Sequence, residues 1–393
     1  MIWTLLLALT VATGGMADGP SSGASRLKAI DADVVAADAA VAAARAKLTD
    51  PNQEDLDVDR LRDVAAQRHR AGFTAALQIA KEDPLSDAGF GALAWLLGHA
   101  PEVYRAPEGP VALQMMARFH SANPKVGAAV ARVAHFAPYG FPNDPTRVEP
   151  AYKPAMELFD AVLHHNPDRA ARGQAAIGIA WQSLRARGTA LAAHNAGESE
   201  RLRLEAVRLF EGVVKDYGDC PYLDGDKQAP TLGDRAGQEL VELRNLQPGQ
   251  AAPEIAGVDL DGRPFTLSDY RGNVVMLAFW ASWCRPCMAE VPHERELVER
   301  FKGKPFVIIG VNGDYERATA LDTVAKKQIP WRSFWNGADG PWGAISMAWN
   351  VRSWPRVYLI DKHGVIRDNG AGGRDFDALL EKLVAEAETG SRR

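Results

Sequence analysis

Seven consecutive apolar residues, Val274–Trp280, run into Ala281-Ser282-Trp283 and then Cys284-Arg285-Pro286-Cys287. The run reads as a buried strand, and the segment after it reads as a helix. A strand that hands two thiols to the N-terminus of a helix is the minimal apparatus of thiol–disulfide exchange. It also constrains the fold, because a strand apolar on both faces must be covered on both faces, which implies layered α/β structure.

The rest of the cysteine inventory supports a chemical use of this pair. Only one other cysteine occurs, Cys220, so the chain is no disulfide scaffold. Cys220 precedes Pro221 and is expected to be a buried or free thiol. A zinc site would need two more closely spaced Cys or His ligands. The nine histidines form no pair at the spacing of zinc ligands, His164 and His165 being adjacent, and only His293 lies near Cys287. Net charge is −5, and the imbalance falls wholly before Pro248. No part is basic enough to imply a nucleic-acid partner.

At 393 residues the chain is long enough for two or more domains. Residues 1–23 read as a secretory signal and short linker, with cleavage after Ala17, although no Lys or Arg precedes the apolar stretch. That stretch is about twelve residues, short for a bilayer span. The expected location is extracytoplasmic, either secreted or periplasmic, or membrane-anchored if the signal stays uncut.

Residues 24–246 are rich in Ala and Leu and read as an all-helical domain, with helices near 24–48, 55–81, 86–98, 111–121, 125–135, 150–165, 168–187, 199–216 and 232–245. Asp83-Pro84, Asn123-Pro124 and Asn166-Pro167 recur at spacings of 40 and 43 residues, each ahead of a helical stretch. That period suggests helical hairpins stacked in a solenoid-like, tetratricopeptide-like array; an irregular bundle is the alternative. Ala175, Ala176 and Gly178 would let two helices approach closely. The linker-like Gln247–Pro253 opens the last domain, 247–393, where short strands alternate with helices in an α/β sandwich. Trp331, Trp335, Trp342 and Trp349 are expected mostly in packing.

Several motifs in this last part occur in a telling order. They are Pro248-Gly249-Gln250-Ala251-Ala252-Pro253, Asp261-Gly262 with Leu267–Gly272, Phe279–Cys287, Glu290-Val291-Pro292 and Trp354–Asp361. Together they resemble the thioredoxin superfamily in its TlpA-like (redoxin) branch, over little more than a third of the chain. The resemblance implies a thioredoxin-like domain, here preceded by the helical one.

It also implies roles. Cys284, at the helix N-terminus and expected to be exposed to substrate, is the nucleophile, its thiolate favoured by the free N–H groups there. Cys287, one turn on, resolves the mixed disulfide, so that Cys284 and Cys287 form the redox disulfide. Pro286 stiffens the loop, and Arg285 adds positive charge beside the nucleophile. Glu290, one turn beyond Cys287, serves as the acid–base group, because Ala278 stands where many thioredoxins hold a buried Asp. Pro292 kinks the helix. Pro355 is the expected cis-proline, and Trp354 before it faces substrate together with Trp283, Arg285 and Pro286.

The leading expectation is thus an extracytoplasmic thiol–disulfide oxidoreductase acting on protein disulfides or thiols, without cofactor or metal. Its electron donor or acceptor is not identified by the sequence. A further protein partner for the helical domain is expected. Two alternatives remain: an interaction protein in which the helical domain dominates, and a peroxiredoxin-type peroxidase. The latter chemistry needs Thr/Ser-x-x-Cys where this chain has Trp-Cys-x-x-Cys.

Overall fold

The structure, a computed structural model, describes residues 22–47, 56–99, 102–136, 149–192, 195–223, 229–370 and 374–390. The expected export signal lies outside the described residues. Among those described, no helix is long and apolar enough to cross a membrane. The chain divides into two compact units, one comprising residues up to Leu209 with Asp219–Leu232, the other Phe210–Gly218 with everything from Gly233 onward.

The first part is helical, as expected. Its helices are α1 (Gly23–Arg45), α2 (Leu56–Glu82), α3 (Asp87–Gly98), α4 (Glu108–His120), α5 (Gly127–Phe136), α6 (Glu149–His165), α7 (Arg169–Ala192) and α8 (Ala196–Tyr217), whose last turns belong to the second unit. Each of the three recurring X-Pro steps stands just ahead of a helix, α3, α5 or α7. Proline fits there because the first turn lacks no donor that a helix would use. In sequence order α6 packs on α4, and α7 on both α5 and α6. Gly178 permits one of these contacts: a Cβ there would fall 2.8 Å from the Phe159 ring. Cys220 is buried and unpaired as a thiol, and burial pushes its pKa up.

Besides the last turns of α8, the second unit contains α9 (Leu232–Asn245) and then a thioredoxin-like domain. A two-stranded antiparallel ribbon, β1 (Ala256–Val258) and β2 (Pro264–Thr266), precedes the main sheet. That sheet contains β3 (Val274–Trp280), β4 (Phe306–Asn312), β5 (Arg332–Trp335), β6 (Arg356–Ile360) and β7 (Ile366–Asp368) in the order β5-β4-β3-β6-β7. β3, β4 and β5 are parallel, β6 runs antiparallel to β3, and β7 runs antiparallel to β6. Helices α10 (Arg285–Arg300), α11 (Arg317–Lys327), α12 (Ala344–Ala348) and α13 (Arg374–Gly390) complete the unit.

Every residue of β3 is buried, which its uninterrupted apolar run foretold. Val274, Met276, Ala278 and Trp280 join one core with Val291 and Leu297 of α10 and Phe376 and Leu380 of α13. Val275, Leu277 and Phe279 join the opposite core with Phe334, Trp349 and Tyr358. The strand thus sits between two apolar layers with its C-terminal end free to carry the cysteines. Helix α9 is fastened to this domain through Glu242, which accepts from Arg356 at 2.9 Å and from Asn350 at 3.1 Å. Of the four tryptophans expected in packing, Trp331 and Trp349 are buried, whereas Trp342 is 40% exposed.

Candidate active site

The site is assembled at the C-terminal end of β3. The chain leaves Trp280, turns so that Cys284 N–H donates to the Ala281 carbonyl at 3.1 Å, and enters α10 with Cys284 as its N-cap. Arg285 and Pro286 are the first two helical residues, both exposed. Cys284 Sγ accepts from the Cys287 N–H at 3.2 Å, so one of the helix's otherwise orphan donors is aimed at the nucleophilic sulfur. The same donors and the helix dipole would stabilise that sulfur as a thiolate after reduction. Cys284 and Cys287 are joined as a disulfide, with Cα atoms 5.2 Å apart.

One expectation needs correction. Cys284 is only 3% exposed in this oxidised form. Its sulfur is joined to Cys287, and the side chain that faces solvent is its neighbour Trp283, at 50% exposure.

The loop after β4 holds the active-site turn in place. Asp314 accepts from the Ser282 N–H at 3.0 Å and the Ser282 hydroxyl at 2.6 Å. The Asn312 side-chain amide donates to the other carboxylate oxygen at 2.8 Å. Gly313 N–H donates to the Trp280 carbonyl at 2.9 Å, and the Trp283 indole N–H donates to the Gly313 carbonyl at 3.3 Å. Asp314 went unnoticed in the sequence. Its only signal was an Asn-Gly-Asp step at the end of a buried strand.

The Trp354–Pro355 peptide bond is cis, as expected for Pro355. Trp354 meets Trp283 edge to face at 5.8 Å and Phe279 at 6.0 Å. The proline loop therefore lies against the cysteine motif. Gly313 is required there, since a Cβ would fall 2.5 Å from the Trp354 ring. Trp283, Tyr315 and Trp342 leave large parts of their rings exposed.

Behind the disulfide is a cavity of about 440 Å³ bordered by Ala278, Cys287, Glu290, His293, Glu294 and Pro355, among others. The expected acid–base residue Glu290 reaches it from an exposed position on α10. Glu294, four residues on, is 7% exposed. Burial, and secondarily the charge of Glu290, push its carboxyl up to about 7. Sequence reasoning missed Glu294, although its spacing of seven from Cys287 places both on one helix face.

The structure thus brings Cys284, Cys287, Trp283, Trp354, Pro355 and Glu290 together. Arg285 and Pro286 lie at the rim.

The chain is similar to known proteins over this part of its length. Residues 248–369 match the AhpC/TSA family. The chain is 30% identical over 144 residues to the thioredoxin-like protein YneN of Bacillus subtilis (strain 168), covering 35% of this chain and 79% of that protein. It is 30% identical over 138 residues to the thiol–disulfide oxidoreductase ResA of Bacillus thuringiensis subsp. konkukian, covering 35% of this chain and 78% of that protein. Among solved structures, the thioredoxin domain of a thiol–disulfide oxidoreductase from Bacteroides vulgatus matches with 27% identity and a TM-score of 0.33, over 36% of this chain and 99% of that one.

Proposed function

This chain belongs to the thioredoxin-like family of ResA-type thiol–disulfide oxidoreductases, and from that premise we propose that it exchanges disulfides with protein substrates outside the cytoplasm, through Cys284 as nucleophile and Cys287 as resolving thiol. The observation that carries this reading is the Cys284–Cys287 disulfide at the N-terminus of α10, with the Trp354–Pro355 loop packed beside it.

In the reduced protein the Cys284 thiolate attacks a substrate disulfide. A mixed disulfide forms and one substrate sulfur leaves with the electron pair. Cys287 then attacks Cys284 Sγ, the second substrate sulfur leaves, and the disulfide seen here is restored. Two electrons pass from the cysteine pair to the substrate. The exposed ring of Trp283 and the backbone of Trp354 border the sulfurs and suit an extended segment of substrate, which could add along the loop as a strand does. Arg285 supports the thiolate from the rim, and Glu290 exchanges protons with solvent at the mouth of the cavity. The extracytoplasmic placement rests on the apolar stretch after Met1. The helical first unit contributes recognition of the partner rather than chemistry.

The test is a Cys287→Ser variant expressed in the native host. It should accumulate mixed disulfides through Cys284, and these should vanish in Cys284→Ser/Cys287→Ser. In parallel, insulin reduction with dithiothreitol should be catalysed by the wild type and not by Cys284→Ser. Equal activity of the two would sink the reading.

A further inference from the structure

The exchange steps above leave a buried carboxyl in the cavity unused. Glu294 is buried there and makes no hydrogen bond or ion pair among the described residues. A buried carboxyl without a partner is costly, and no packing or pairing role accounts for it. We infer that Glu294 is the internal proton acceptor of the reaction, taking the Cys287 proton as that residue resolves a mixed disulfide and returning it when the disulfide is next reduced. This inference rests on the exchange reading and specifies how its second step is driven.

The geometry supports it in three ways. Cys287, Glu290 and Glu294 fall at helix angles of about 0°, 300° and 340°, so Glu294 stands nearly in line with Cys287, about 10 Å along the axis. Side chains on a helix lean toward its N-terminus, which tilts the Glu294 carboxyl toward the sulfur. The remaining gap lies within the cavity, whose volume of about 440 Å³ is more than tenfold the roughly 30 Å³ share of one water. A short water relay therefore fits between them.

Few other charges bear on Glu294. On its own helix, Glu290 and His293 face the cavity; from α13, Asp377 does. His293 and Asp377 pair with each other at 3.5 Å, and Arg300 lies 3.9 Å from Asp377. From β3 and the edge of β6, the walls are Met276, Ala278, Trp280, Pro355 and Val357, none of which titrates. Glu290 is thus the main charged neighbour left to act on Glu294. Its charge, added to burial, holds the Glu294 carboxyl near neutrality, where it can both take and give a proton.

The step balances. The Cys287 thiol passes its proton through water to the Glu294 carboxylate. The thiolate attacks Cys284 Sγ, the Cys284–Cys287 bond forms, and the bond from Cys284 to substrate breaks. The substrate sulfur leaves with the electron pair and is protonated by solvent. Glu294 holds the proton until the disulfide is next reduced, when it passes back through water to the departing Cys287 thiolate.

The experiment uses reduced full-length protein carrying Cys220→Ser, mixed with 5,5′-dithiobis(2-nitrobenzoate). Attack by Cys284 releases one thionitrobenzoate, and resolution by Cys287 releases a second. In Glu294→Gln the first release should be unchanged, while the second slows about a hundredfold at neutral pH, the low end for loss of a general base. The limb near pH 7 in the pH profile of the second release should also disappear. A second release with wild-type rate and profile in Glu294→Gln overturns the proposal. Glu290→Gln decides the matter if Glu294→Gln does not fold. The limb should then move to lower pH, because a neighbouring negative charge has been removed. If Glu290→Gln abolishes the limb instead, Glu290 is the acceptor and the proposal falls. Absence of the first release from the wild type is a different failure, that of the exchange reading itself.

Discussion

Replacing Glu294 by Gln should make the protein more stable at alkaline pH and leave it nearly unchanged in acid. Glu294 departs from the common carboxylate case, because its pKa is raised from 4.5 to about 7 on folding. Below the unfolded value the carboxyl is protonated in both states and imposes no penalty. As pH rises past it, the unfolded chain releases the proton while the native state retains it, and stability falls. Above the folded value the native state holds a buried anion, and the penalty is complete. The two values differ enough for a total of about 3 kcal/mol. Gln has nearly the same shape and does not titrate. The Glu294→Gln protein should therefore match the wild type near pH 4.5 and exceed it by about 3 kcal/mol at pH 8. Urea unfolding of the oxidised proteins, followed by tryptophan fluorescence, gives the difference at each pH. Using the change in that difference cancels any pH effect common to both. Curves that run parallel from pH 4.5 to pH 8 would refute the assignment of Glu294 as a buried, unpaired carboxyl.

Three further outcomes follow from the packing around the site. Asp314→Ala should cost about 2–3 kcal/mol and slow insulin reduction, because the Ser282 N–H and the Asn312 amide both lose their acceptor; a midpoint within error of the wild type in denaturant would remove Asp314 from the support of the turn. Gly313→Ala must displace the Trp354 ring, which its Cβ would approach to 2.5 Å. A loss of about 1–3 kcal/mol is expected, with slower exchange, and both are read by denaturation and insulin turnover. Glu242→Ala deprives Arg356 and Asn350 of their shared acceptor, so amide hydrogen exchange in α9 should accelerate while exchange in β3 stays slow.

Much of the second unit could be read directly from the residues, because its strands announce themselves. Val274–Trp280 and Phe306–Asn312 are apolar throughout, and only a sheet covered on both faces has a use for such runs. The helix boundaries also came close: the stretch expected at 232–245 is α9 to the residue. Shorter features escaped. Helix α12 has five residues, too few for a period to show. Trp342 and Trp349 lie seven residues apart in one aromatic-rich stretch, yet the first is 40% exposed and the second fully buried. Composition does not separate them, since tertiary neighbours decide. Cys284 was expected in the open, yet it is buried, with Trp283 exposed beside it.

The acid–base group shows the same limit from the other direction. Ala278 leaves β3 without the acid that many thioredoxins carry, and attention passed to Glu290 because it lies one turn from Cys287. The structure separates two roles that sequence distance merged. Glu290 is exposed, whereas Glu294 occupies a place on α10 that the helix's own pattern marks as core, between Val291 and Leu297, both buried. An apolar residue would satisfy that pattern at no cost. A carboxyl there weakens the fold above neutral pH, by the amount worked out above, and no partner offsets it. Where a chain breaks its own burial pattern beside a reactive disulfide, function is the expected reason. The cavity that Ala278 leaves open and the acid that reaches it from the facing helix are then one device, with the proton acceptor moved from strand to helix.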